Sequence, residues 1–320
     1  MPRRRVGQLG FADAAVSRRG NGGVDALAAL DRLVDWAAFE RLLDPIHAAR
    51  RGEAAYPPLV MFKALLLQKW HGLSDPALEA ALSDRLSFMR FCGLSLEDKT
   101  PDHTTLWRFR EALAGERMDH LLAELNRQLE AAGLVVKAGT LIDASLVTSA
   151  ARRPRLDEAQ ESPADPQARF GTSNERGRFA FGYKAHVAVD QGSGLVRALV
   201  LTPANVQEVA VAPALIAAAA GTVLADRGYD SEGLRRELAA RGLQDGIMRR
   251  RRGRDLTPAE TARNHALSLA RRAVESLFGT MKRTYRLGRM RGFTQSRNAV
   301  DLTLFAIAFN LRRWRALAAA

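Results

Sequence analysis

The stretch FGYKAHVAVDQGSGLVRALVLTPAN, residues 181–205, decides the fold. Phe181, Tyr183, Ala185, Val187 and Val189 alternate with Lys184 and His186, the period of a β-strand with two unlike faces. Gln191-Gly192-Ser193-Gly194 is a hairpin turn, and LVRALVLTPAN returns as the partner strand. Upstream, LVVKAGTLIDASLV (134–147) is a strand or hairpin signal. Downstream the pattern changes to alternation of helix and strand. VAVAPALIAAAA (209–220) is a helix broken or started by Pro213, and TVLAD (222–226) is a short buried strand. SEGLRRELAARG (231–242) is a helix with Ser231 as its N-cap, and LQDGIMRR (243–250) is a last strand. Two long helices, about 257–286 and 298–317, finish the chain. Three consecutive strands followed by strands that alternate with helices make a mixed sheet covered by helices.

The first part of the chain reads as all-α. Leu27, Leu30, Leu33, Val34, Trp36, Phe39, Leu42 and Leu43 recur at helical steps over residues 24–50. Pro57-Pro58 opens a second helix, LVMFKALLLQKW, which Gly72 stops. Ser74 caps a third, a fourth follows Asp102-His103-Thr104-Thr105, and a fifth runs from about Met118 to Ala132. Thr104, Thr105, Arg108 and Arg110 suit phosphates and base edges, so this region is expected to contact DNA. The expected domains are residues 1–133, helical and DNA-binding, and residues 134–320, α/β and catalytic. Residues 150–180 are polar and are expected to form a long exposed loop in the second domain. Trp107 and Trp314 are expected in cores.

The 320 residues are 47% hydrophobic, enough to bury sizeable cores. The formal charge is +13, which points to a polyanionic partner. From residue 241 onward there are 18 Lys and Arg against 5 Asp and Glu, so the last quarter carries the whole excess. Arg249, Arg250, Arg251 and Arg252 form a run expected to bind the DNA backbone. The lone cysteine, Cys92, excludes a disulfide framework and a cysteine-based metal site. MPRRRVGQLG lacks the apolar stretch of a secretory signal, and no run of apolar residues is long enough to span a bilayer. A cytoplasmic protein without membrane partners is the expectation.

Three acids stand out. Asp143 ends the apolar run Thr140-Leu141-Ile142, and Asp226 ends Thr222-Val223-Leu224-Ala225. An acid at the end of a buried strand is costly unless it is paired or holds a metal. Glu275 lies on a helix with Arg271 and Lys282 at four- and seven-residue spacings, which put all three on one face. Two strand acids and one helix-borne glutamate are what a two-metal phosphoryl-transfer site requires, with ions about 3.5–4 Å apart. Hard oxygen ligands suit Mg²⁺ or Mn²⁺. Singly, Asp143 reads equally as a helix cap, Asp226 as the start of a turn, and Glu275 as half of a surface Arg–Glu pair.

The strand order matches an RNase H-like fold, in which acids sit on the first strand, the fourth strand and a C-terminal helix. The chain resembles DDE-class insertion-sequence transposases of the IS-five group. The resemblance rests on YPPLVMFKALLLQKWHGLSDPALEAALSDRLSFMRFCGLS and PDHTTLWRFREAL, then LIDASLV, GYKAHVAVD, TPANVQE, LADRGYDS and RRAVESLFGTMKR, in that order over roughly residues 55–310. That family's third motif usually runs tyrosine, two residues, arginine, three residues, glutamate, six residues, lysine. Arg271, Glu275 and Lys282 keep this spacing, and Ser268 stands at the tyrosine. The resemblance implies that Asp143, Asp226 and Glu275 are catalytic and hold two Mg²⁺ ions. It implies hydrolysis that frees a transposon 3′ end, whose hydroxyl then attacks target DNA. Partners would be double-stranded DNA, as terminal inverted repeats and target, and further copies of the chain in a synapsed homo-oligomer. Lys184 and His186 share a strand face and are expected to meet phosphate, with a structural hydrogen bond for His186 equally open. Asn205 and Glu208 fall in a family-like segment and are expected to support the site. The competing readings are a catalytically silent DNA-binding descendant of a transposase and an RNase H-like nuclease.

Overall fold

A computed structural model describes the chain except residues 1–2, 12, 14–25, 47–53, 156–160, 173–178, 252, 254 and 320. Two compact units result. The first comprises residues 1–128 with 307–320, and the second residues 129–306.

The first unit is helical: α1 (Ala26–Leu33), α2 (Trp36–Leu43), α3 (Pro58–His71), α4 (Asp75–Asp84), α5 (Leu86–Cys92), α6 (His103–Ala112) and α7 (Glu116–Ala131). The single helix expected over residues 24–50 is two, because the Asp35 side chain accepts the Ala37 N–H and caps a new start. α3 is buried on nearly every side. Its Lys63 is tolerated there because Nζ lies 2.6 Å from Asp31 and 4.5 Å from the centre of the Trp36 ring. Ser74 and Asp102 cap α4 and α6 as their sequences predict, accepting from Ala77 N and Thr105 N. Cys92 is buried, and burial pushes its thiol up to about 12. Trp107 corrects its expectation: it is 45% exposed, on the outside of α6, whereas Trp314 is buried.

The second unit holds a six-stranded sheet: β1 (Gly139–Thr148), β2 (Arg169–Thr172), β3 (Phe179–Asp190), β4 (Val196–Pro203), β5 (Thr222–Ala225) and β6 (Gln244–Ile247). β3 is antiparallel to β1, β2 and β4, while β1, β5 and β6 run parallel. Helices α8 (Glu208–Leu215), α9 (Glu232–Ala240), α10 (Pro258–Ala270), α11 (Arg272–Arg283) and α12 (Gln295–Ala318) accompany it. This is the mixed, helix-flanked RNase H-like architecture that the strand order implies. One core packs Ile142, Ala188, Val223, Ala225 and Ile247 of the sheet against Val211, Ala212, Leu215, Leu234 and Leu238 of α8 and α9. The polar stretch 150–180 is not all loop. β2 extends the sheet there, and fully buried Asp165 accepts hydrogen bonds of 2.5 Å from Ser149 Oγ and Tyr183 Oη.

Two boundaries differ from those read in the sequence. The helix expected over about 257–286 divides at Arg271 into α10 and α11. The end of α12, from Ile307, belongs to the helical unit rather than to the α/β domain expected over residues 134–320. There Trp70 Nε1 donates to the Ala308 carbonyl over 2.8 Å, and Leu311 and Trp314 are buried.

Candidate active site

Parallel pairing of β1 with β5 builds the centre of the site. The register joins Gly139 to Thr222, Thr140 to Val223 and Leu141 to Leu224, and the pairing stops there. Asp143 and Asp226 each lie two residues past the last pair, so the register carries both acids to the same level. The buried apolar residues before them, Leu141, Ile142, Val223, Leu224 and Ala225, fix that register, since a slip would turn them out of the core.

Asp143 is held on two sides. Its Oδ2 lies 2.6 Å from Arg271 Nη2, and its Oδ1 accepts the Ala144 N–H over 2.8 Å. Burial raises its carboxyl above the usual range; Arg271 and the Ala144 N–H oppose this, and Asp226 adds to it. Asp226 caps the 3₁₀ turn Arg227–Tyr229, its Oδ1 accepting the Gly228 N–H over 2.8 Å.

A third acid arrives from α8. Glu208 opens that helix, with Oε1 3.4 Å from Lys184 Nζ. Burial first, then the charges of Asp226 and Asp143, raise its carboxyl, against the pull of Lys184. Tyr229 is fully buried, and its hydroxyl has no hydrogen-bond partner among the described residues. Burial and the charges of Glu208, Asp143 and Asp226 push its phenol well up. The arrangement gathers hard oxygen donors whose negative charge outweighs the neighbouring cations, Arg271 and Lys184.

Comparison with known families decides the relationship. Residues 136–311 match the model of the transposase DDE domain, and residues 14–112 match a transposase domain (DUF772). The chain belongs to the DDE transposase family. No solved structure matches it.

In this transposase the predicted site residues fall into three groups. Asp143, Asp226 and Arg271 are together. Glu275 is exposed on α11, one turn beyond Arg271, and Asp143 is acted on by Arg271 and Asp226 instead. Glu275 and Lys282 keep the seven-residue spacing on α11, while Arg271 stands at the junction of α10 and α11 and turns to Asp143. Arg271 ends α10 with ψ −6°, and α11 buries Val274, Leu277, Phe278 and Met281, leaving Glu275 and Lys282 exposed. Among the described residues no three acidic, histidine or cysteine side chains form a complete metal-ligand group.

The second group is buried or paired. His186 corrects its expectation as a phosphate contact: it is fully buried, its Nε2 is 2.9 Å from Thr202 Oγ1, and burial lowers its pKa to about 4. Lys184 is 13% exposed and donates to the Val206 carbonyl over 2.9 Å beside Glu208, so it too faces inward. Arg110 makes a forked pair with Asp75, at 2.6 and 3.1 Å, and a 2.8 Å bond to Gln68.

The third group is available at the surface. Arg108 is exposed on α6. Arg250 is exposed, Arg249 is 39% exposed and 3.6 Å from Asp245, and Arg251 is 74% exposed beside Asp255. Arg252 lies outside the described residues. The residues that sequence reasoning undervalued are Glu208 and Tyr229. Glu208, expected from its family-like segment to support the site, is brought to Asp226 by α8, and Tyr229, three residues after Asp226 in the turn that Asp226 caps, is not singled out by the sequence.

Proposed function

We propose that this chain is a metal-dependent DNA strand-cutting and strand-joining transposase whose chemistry centres on Asp143 and Asp226. The observation that carries this reading is the β1–β5 register, which sets the two acids side by side at the end of the paired strands. Family membership supplies the substrate class, DNA. The motif order supports the finer placement in the IS-five group.

The donor set fits a hard divalent cation. Burial and mutual repulsion raise the carboxyl of Asp143, and a cation supplies the charge this pocket lacks. Mg²⁺ typically binds one or two carboxylates and takes its remaining oxygens from water and phosphate. Asp143 and Asp226 would hold it. When bound, the ion activates an attacking oxygen and stabilises a leaving one in phosphoryl transfer.

The chain's own residues do the rest. The Gly228 N–H fixes one oxygen of Asp226, and the Ala144 N–H fixes one oxygen of Asp143. Arg271 neutralises Asp143 from within the nearly buried pair. Glu275 enters the proposal as a further acid, through the motif it shares with Arg271 and Lys282. Exposed Arg108, Lys282 and Arg249–Arg251 supply backbone contacts to DNA.

The test is Mg²⁺-dependent cleavage and joining of DNA carrying the element's own terminal repeats. Asp143→Asn, Asp226→Asn and Glu275→Gln are each expected to lose activity by orders of magnitude while still binding that DNA. Undiminished activity in Asp226→Asn would overturn the reading, and undiminished activity in Glu275→Gln would remove that residue alone. A catalytically silent DNA-binding descendant would show repeat binding with no cleavage by the parent protein.

A further inference from the structure

The conformation around Gly228 singles out Glu208. A Cβ built on Gly228 would meet Glu208 Oε2 at 2.2 Å and Asp226 Oδ1 at 3.0 Å. The carboxylate of Glu208 therefore sits against the α-carbon of Gly228, over the turn whose cap is Asp226. Gly228 does not need its freedom for backbone reasons, because its φ is outside the left-handed region. The space is what requires glycine here.

Glu208 is fixed from its other side. Lys184 Nζ, itself bound to the Val206 carbonyl at 2.9 Å, lies 3.4 Å from Glu208 Oε1. An anchored cation on β3 thus holds the first residue of α8 toward Asp226. A purely structural ion pair would not need its second oxygen packed onto the turn that carries another acid.

Tyr229 gives an independent sign that this space serves a ligand. Its hydroxyl is fully buried without a partner among the described residues, and the charged groups acting on it are Glu208, Asp143, Asp226 and Arg271. Buried hydroxyls are normally satisfied, and an orphan among several carboxylates marks a position where a bound group belongs.

We infer that Glu208, tethered by Lys184 and accommodated by Gly228, supports the cation centre from outside its ligands, adding negative charge beside Asp143 and Asp226 that strengthens their hold on a divalent cation. The inference rests on the cation reading above. It goes beyond the Asp143, Asp226 and Glu275 set, and it assigns a purpose to Lys184 and Gly228.

The experiment is titration of the full-length, metal-free protein with Mn²⁺, followed by calorimetry and by the Mn²⁺ paramagnetic resonance signal. Glu208→Gln keeps the shape and removes the charge. Gly228→Ala keeps the charge and pushes the flexible end of Glu208 aside. Each is expected to weaken Mn²⁺ binding by about tenfold or more, the effect of groups that support a metal site. Because the added methyl also meets Asp226 Oδ1 at 3.0 Å, the double variant Glu208→Ala/Gly228→Ala measures what the methyl does through Asp226 alone; if Gly228→Ala acts through Glu208, the double variant loses less than the sum of the two single variants. Glu208→Gln removes the charge that faces inward-facing Lys184 and is expected to lower the metal-free unfolding midpoint, so Mn²⁺ affinity is compared at a temperature where every variant is folded. Parent-like Mn²⁺ binding in Glu208→Gln, with weakened binding in Asp226→Asn, would overturn the role of Glu208 and leave the centre intact. Parent-like binding in Asp226→Asn as well would overturn the cation centre itself. A lowered metal-free midpoint with unchanged affinity would reduce Glu208 to a structural residue.

Discussion

Arg271→Met removes the counter-charge of Asp143 and keeps most of the aliphatic stem. The two side chains are 12% and 13% exposed and meet at 2.6 Å, so the pair is nearly dry. Removing one partner of a buried pair costs about 3–5 kcal/mol. Asp143 keeps its bond from the Ala144 N–H and can take up a proton, so the lower end, about 3 kcal/mol, applies. For a unit of this size that is a fall of about 6–12 °C in unfolding midpoint. The loss should depend on pH with a definite sign. A carboxyl raised in the folded state binds its proton more tightly there than in the unfolded chain. Stability therefore falls as pH rises from the ordinary carboxylate range through the raised value, and Arg271→Met should steepen that fall. A divalent cation should replace the missing guanidinium. At about one hundred times its dissociation constant it returns about 2.7 kcal/mol, nearly the whole loss. The parent should gain less, because Arg271 competes for the same oxygen. Thermal unfolding of both proteins at several pH values, with and without Mg²⁺, measures all of this. A midpoint within about 1 °C of the parent, or equal stabilisation of both proteins by Mg²⁺, would refute the reasoning.

Three further outcomes are expected. Arg108→Ala should weaken DNA binding and lower the salt slope by about one, while Arg110→Ala should lower stability instead, since Asp75 and Gln68 lose a buried partner; salt-dependent binding and urea unfolding separate the two. Tyr183→Phe should cost about 1–3 kcal/mol in urea unfolding, because fully buried Asp165 loses one of its donors. His186 is kept neutral by burial, with its pKa lowered to about 4, so it favours the fold above its unfolded value and this contribution is lost as pH falls from about 6.5 toward 4. Replacing it with Gln should flatten the acid limb of the stability profile over that window.

Much of the fold was legible because its signals are local. Alternation in residues 181–190 marks β3, and Ser74, Asp102 and Ser231 cap helices within three residues of themselves. The break at Arg271 was not legible. Residues 257–286 hold helical periodicity throughout, and the residue at the break, Arg271, has its charged partner Asp143 128 positions away. β2 was hidden for a similar reason. Arg169–Thr172 has little pattern of its own and becomes a strand by pairing with β3.

The sequence by itself determined the class of the fold, the family, and two acids that end buried strands. Those follow from periodicity, composition and motif order, which are properties of neighbours along the chain. Tertiary structure alone decided which charges meet. Parallel pairing of β1 and β5 levels Asp143 with Asp226, and α8 brings Glu208 onto Gly228. It also turned His186 inward, joined Arg271 to Asp143, and left Glu275 on the outer side of its helix. The physical reason is range. Helices and strands form from contacts a few residues apart, while a charge in a low-dielectric interior is settled by whichever partner the packed elements deliver.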